Sequence, residues 1–205
     1  DALRRQIREA GTYGDVSVVE FSGSALPYAD NLLNLVVVDE FSHAQAQGAS
    51  VDEIVRVLAP LGTAYLGHSG SASEARAWAD KLQKRLSGMG LAEVAIVESA
   101  GLWVRFSRPW PEEIDHWTHY LHGADGNPVA EDTVIGPPEH FQWTAGPTWL
   151  RSHETDSSVS TLVTAGGRLF AIVDEAPISL PGDHPLPDKW FLVARDVFNG
   201  VLLWK

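Results

Sequence analysis

Three groups of residues in this chain have the types and spacing to do chemistry. Asp39 and Glu40 follow directly on the apolar run Leu35-Val-Val-Val38, so two carboxylates leave the end of a strand, where open α/β sheets hold their ligands. His116, His119 and His122 recur at intervals of three, and three imidazoles are enough to bind zinc or copper. On a helix that series drifts around the axis, so convergence is not automatic; the competing reading makes them polar partners of Trp117 and Tyr120. Asp196 stands three residues before Asn199-Gly200, where a carboxylate shapes a turn. The chain has no cysteine, which excludes disulfides, thiolate-bound zinc and thiol catalysis without fixing a compartment. Ser, His and Asp are too abundant to order into a triad, which is recognised by geometry.

The elements that must position these residues fall into two regions. In the first, Leu3, Ile7 and Ala10 share a helical face stopped by Gly11. Val16-Ser-Val-Val-Glu-Phe21 reads as a strand. Leu33-Asn-Leu-Val-Val-Val38 reads as a parallel strand covered on both faces, and the loop Leu26-Pro-Tyr-Ala-Asp-Asn31 joins the two. Ser50-Val-Asp-Glu53 is a capping box leading into Ile54, Val55 and Leu58, with Pro60 and Gly62 ending that helix. Thr63–Leu66 forms the next strand, and a Gly/Ser stretch runs from Gly67 to Ser73. A second box, Ser71-x-x-Glu74, starts a helix with Ala75, Trp78, Ala79, Leu82 and Leu86 inward. Strands at 94–97 and 102–106 then pair across Ser99-Ala-Gly101. Strand-helix alternation of this kind predicts an α/β Rossmann-like domain, an incomplete doubly wound sheet, over residues 1–108.

Ser107-Arg-Pro-Trp-Pro-Glu-Glu113 marks a boundary, with a linker at 109–114. Residues 115–205 read as all-β. Thr161–Thr164 and Gly167–Val173 pair through Ala165-Gly-Gly167, and Phe191–Ala194 pairs with Val201–Trp204 through a two-residue Asn199-Gly200 turn. A Pro-rich insertion runs from 178 to 189. Charge divides unevenly: residues 1–108 hold 10 Lys+Arg against 13 Asp+Glu, and 109–205 hold 5 against 14. So acidic a second region repels phosphate backbones, which argues against a nucleic-acid partner. No apolar run approaches the roughly 20 residues that span a bilayer.

Two resemblances follow from these residues. Val16-Ser-Val-Val, Leu26-Pro-Tyr-Ala-Asp-Asn, Leu35-Val-Val-Val-Asp39 and Glu53-Ile-Val-Arg-Val-Leu-Ala-Pro-Leu-Gly62 resemble the second half of a class I S-adenosylmethionine-dependent methyltransferase, with Leu61 where a glycine is usual. The resemblance implies a Gly-rich cofactor loop and a ribose-binding acid, segments this chain does not contain. It also puts Ser22, which has no carboxylate, where an acid reads the adenine amine, and it places Asp39 and Glu40 on the cofactor and substrate side. Trp117-Thr-His-Tyr-Leu-His-Gly-Ala-Asp-Gly-Asn127 and Ala194-x-Asp196-x-x-Asn199-Gly200-x-x-x-Trp204 resemble the lead-in strand and first blade of a pyrroloquinoline-quinone (PQQ)-like β-propeller. The order of the two is similar to that in large bacterial, planctomycete-type proteins.

These resemblances imply a scaffold or a ligand- or partner-binding module with a degenerate S-adenosylmethionine site. The alternatives are an active methyltransferase, or a quinoprotein-type oxidoreductase using PQQ with calcium, completed by polypeptide beyond this chain. Partners are then the remaining segments of the same protein or a companion chain, filling a gap between the strands at 16–21 and 33–38 and covering Trp204. The propeller resemblance favours a periplasmic or other extracytoplasmic location.

Overall fold

Two four-stranded sheets carry the chain in a computed structural model, which describes residues 2–21, 24–137, 141–146, 157–176 and 187–205. The first region contains α1 (Ala2–Glu9), β1 (Leu33–Val38), α2 (Phe41–Ala46), α3 (Val51–Val57), β2 (Leu58–Gly67), α4 (Ala72–Ser87), β3 (Ala92–Glu98) and β4 (Leu102–Ser107). Its sheet has the order β1-β2-β4-β3. β1 and β2 are parallel, and β4 runs antiparallel between β2 and β3. Such a mixed sheet with helices is an α/β arrangement compatible with a Rossmann-like fold.

Alternation along the strands decides where the core lies. Val36, Ala64 and Phe106 form one row across the sheet and Val38, Leu66, Val104 and Ile96 the next. These meet Phe41 of α2, Val51 and Ile54 of α3, and Ala79, Leu82 and Leu86 of α4 in a single cluster. Helices therefore cover one face. On the other face Leu35 and Val37 remain 57% and 56% exposed, so β1 is not the doubly covered strand its apolar run predicts.

α4 follows from its sequence closely. Ser71 accepts from the Glu74 N–H, Glu74 returns to the Ser71 N–H, and Gly88 ends the helix. α3 keeps half of its box. Ser50 Oγ accepts from Glu53 N at 3.1 Å, but the Glu53 carboxylate turns instead to Leu26 N (2.6 Å) and the Arg56 guanidinium. That guanidinium also reaches Asp30 Oδ1 and the carbonyls of Tyr28 (3.0 Å) and Leu26 (3.2 Å), so an ion pair on α3 fastens the whole 26–31 loop.

Three expectations change in this region. Val16–Phe21 is not a strand: beyond an isolated bridge between Tyr13 and Val16 it has no ladder, because a groove of about 360 Å³ separates Val19 and Phe21 from Leu33, Leu35 and Val37. α3 ends at Val57, before Pro60, and β2 starts at Leu58 with an irregular pairing that resumes at Thr63. Leu61 absorbs that irregularity with φ +66°, a left-handed conformation that explains why glycine suits the position. α2, directly after Glu40, is an additional helix.

The second sheet is an antiparallel meander in the order β5-β6-β7-β8, with β5 Val159–Ala165, β6 Arg168–Asp174, β7 Trp190–Asp196 and β8 Leu202–Trp204. Ala165 pairs with Arg168, leaving Gly166 and Gly167 as a two-residue turn with φ +55° and +76°, as a mirror-image hairpin turn requires. The β7–β8 turn is longer than the expected Asn-Gly pair. Asp196 Oδ1 accepts from Phe198 N (2.8 Å) and Asn199 N (3.1 Å), and Gly200 N closes on Asp196 O at 2.9 Å. The meander is one antiparallel sheet; it does not show a propeller. Ile114–His122 is irregular rather than helical, and Trp204 is 48% exposed. Residues 177–186, most of the Pro-rich insertion, lie outside the described residues.

Candidate functional site

A cavity of about 980 Å³ lies against the carboxyl ends of β1 and β2. Asp39, Gly67, His68 and Ser69 come from those strand ends; Arg76 comes from α4, and Glu98 and Trp103 flank the β3–β4 turn. Gly67 holds the strand ends together. A Cβ there would sit 2.5 Å from the Asp39 carbonyl oxygen and 3.0 Å from the Trp103 ring, so only glycine lets β1, β2 and that indole converge.

Glu40 fixes two of the residues that line the cavity, His68 and Ser69. Its Oε2 accepts from Ser69 N at 2.6 Å and from the Ser69 hydroxyl, and its Oε1 lies 3.3 Å from His68 Nδ1. Ser69's two donors are the main reason its carboxyl is held at about 2 instead of 4.5; His68 adds a smaller effect in the same direction. Because an ionised carboxylate only accepts hydrogen bonds, the His68 contact requires a proton on Nδ1. Ser42 Oγ is 2.9 Å from the same nitrogen. The ring stacks on Trp78 of α4, 5.1 Å between centroids. In the neutral ring this leaves Nε2 as a lone-pair acceptor at the cavity.

The sequence-predicted residues have different fates. Asp39 lines the cavity with its carboxylate unengaged. Glu40 is consumed in positioning Ser69 and His68. Ser22 lies outside the described residues. His116, His119 and His122 do not converge: His116 lies 4.8 Å from the Trp110 ring, His119 Nδ1 is 2.9 Å from Thr118 Oγ1, and His122 Nε2 is 2.6 Å from Asp115 Oδ2. The helix that could have lined them up is absent because His119 N bonds His122 O across a tight turn with His122 at φ +68°. Among the described residues, no three His, Asp or Glu side chains are placed to hold a metal ion.

Asp115 serves that loop as a structural anchor. It accepts from Glu131 N and His116 N, which, with His122 contributing less, keep its carboxyl near 2. Sequence reasoning missed His68, Ser69 and Trp103, reading 67–73 only as a flexible Gly/Ser stretch. The available signal was positional, since His68 leaves the end of a strand just as Asp39 does.

No protein-family model matches this chain, and none of the curated proteins matches it. One solved structure does: a provisionally assigned S-adenosyl-L-methionine-dependent methyltransferase from Methanococcus maripaludis, 20% identical, with a TM-score of 0.40. The match covers 54% of this chain and 62% of that one, so this chain spans less than two thirds of its neighbour.

Proposed function

We propose that this chain is a methyltransferase-like ligand-binding module with a degenerate S-adenosylmethionine site, its antiparallel sheet serving as scaffold. The observation that carries this reading is the cavity at the carboxyl ends of two parallel strands, the place where open α/β sheets take small molecules. The arrangement supports binding more than methyl transfer. Glu40, beside the cavity, is committed to Ser69 and His68 and so is not free to hold a ligand. The methyltransferase resemblance puts Ser22 where an acid would read the adenine amine, and an uncharged hydroxyl accepts that hydrogen bond more weakly than a carboxylate.

Calorimetric titration with S-adenosylmethionine tests the proposal. No saturable heat is expected, and dissociation constants in the micromolar range would overturn the degenerate-site reading. A second reading, an active enzyme completed by further polypeptide, is favoured by one observation. β1 ends the sheet with Leu35 and Val37 bare, and the groove beside it separates it from the extended segment at 17–21. Further strands docking there would extend the sheet toward that segment.

A further inference from the structure

The hydrogen-bonding groups around the cavity are unevenly spent. On the donor side, both Ser69 donors go to Glu40 and the Trp103 indole N–H goes to Ser99 O at 3.0 Å. The Arg76 guanidinium is divided between Glu98 (3.2 Å) and Asp80 (3.3 Å). The amino end of α4 also faces this space and by itself would favour an anion. Its capping box already sets the Glu74 carboxylate there: Oε2 accepts from Ser71 N at 3.0 Å and from Ser71 Oγ at 2.6 Å.

On the acceptor side two groups at the strand ends remain. Among the described residues the Asp39 carboxylate has no hydrogen bond or ion pair, and Nε2 of neutral His68 is left as an acceptor once Nδ1 is committed to Glu40 and Ser42. Trp103 and Leu102 supply an apolar wall. A ligand that brings its own donors meets the free Asp39 carboxylate and His68 Nε2, whereas an acceptor-only anion is opposed by Asp39 and Glu98 and finds only the Arg76 N–H groups that Glu98 and Asp80 leave over.

We propose that the cavity selects an organic ammonium, a protonated amine on an aromatic or apolar body, its N–H groups donating to Asp39 and His68 Nε2 and its body lying on Trp103. The proposal rests on the binding-module reading and specifies its ligand class. Positive charge beside an aromatic face and a carboxylate adds a cation–π attraction to the ion pair.

Three probes of one size separate the possibilities: phenethylamine, 2-phenylethanol and phenylacetate, each titrated into the isotope-labelled chain in mildly alkaline buffer and followed by amide chemical shifts. The amine is expected to move Asp39, His68, Ser69 and Trp103 amides saturably. The alcohol should bind about tenfold more weakly, and the carboxylate should leave these amides unmoved. Asp39→Asn, whose side chain carries no structural contact, should weaken the amine about tenfold while the rest of the spectrum is unchanged. Trp103→Phe should weaken it less.

Carboxylate binding equal to or tighter than that of the amine would overturn the ammonium assignment while leaving the cavity a ligand site. Amine binding indifferent to Asp39→Asn would overturn it as well. Failure of all three probes to move these amides would overturn both the assignment and the small-molecule reading of the cavity.

Discussion

Single residues carry the most exact consequences. Leu61 sits at φ +66°, where a side chain costs about 1 kcal/mol that glycine avoids, and it is 56% exposed, so little packing is lost on truncation. Leu61→Gly is therefore expected to stabilise the protein by about 1 kcal/mol, less the entropy that glycine adds to the unfolded chain, measured as a higher denaturant midpoint at constant slope. Glu40 makes a pH-dependent contribution. Its carboxyl titrates near 2 in the folded protein against 4.5 ordinarily, so its contribution is present above about 4.5 and is lost as pH falls toward 2. Carboxyl chemical shifts should report the low value, with Ser69 and His68 amides changing in the same step. Glu40→Gln should remove the step.

At the scale of elements, side chains fastening backbone matter more than propensity. Arg56 joins α3 to the 26–31 loop, and Arg56→Leu, which keeps a helix former, should cost about 2 kcal/mol and accelerate amide exchange through 26–31 while sparing α4. In the second sheet, Gly200 combines φ +72° with the Trp143 ring lying 2.4 Å from where a Cβ would be. Gly200→Ala should cost about 3 kcal/mol by strain and overpacking together, read from thermal or denaturant unfolding.

These two cases also show what the sequence could disclose. Capping boxes and a Gly-Gly turn are local chemistry, and α4, the β3–β4 hairpin and the β5–β6 hairpin stand where their residues predict. Val16–Phe21 has strand composition, but a strand exists only where a neighbour pairs along it, and among the described residues only Val16 has a partner, in an isolated bridge to Tyr13. The histidines stand apart for a related reason, because spacing brings side chains together only once the backbone is known. Asp39 was legible as a cavity residue from its place after an apolar run. His68 was hidden by its Gly/Ser surroundings, and its role depends on Glu40, 28 residues earlier.

For the whole molecule, the two sheets meet through polar side chains at the open edge of the first. Asn199 Nδ2 donates to Leu32 O at 3.0 Å and to Asn34 Oδ1, Asn34 Nδ2 donates to Asp196 Oδ2 at 2.8 Å, and Gln142 Nε2 donates to Asp30 O at 2.7 Å. The turn between β7 and β8 thus occupies the start of β1, the strand whose other end delivers Asp39 to the cavity. Asn199→Ala should weaken this junction by about 1 kcal/mol and separate the unfolding of the two sheets, visible as probe-dependent transitions where the parent shows closer coincidence. The central claim is that the carboxyl-end cavity binds a small molecule without the means to hold S-adenosylmethionine. Amide chemical-shift mapping with that cofactor tests it most directly: the account predicts no saturable movement at Asp39, Glu40 or residues 67–70, and saturable movement of those amides at micromolar cofactor would contradict it.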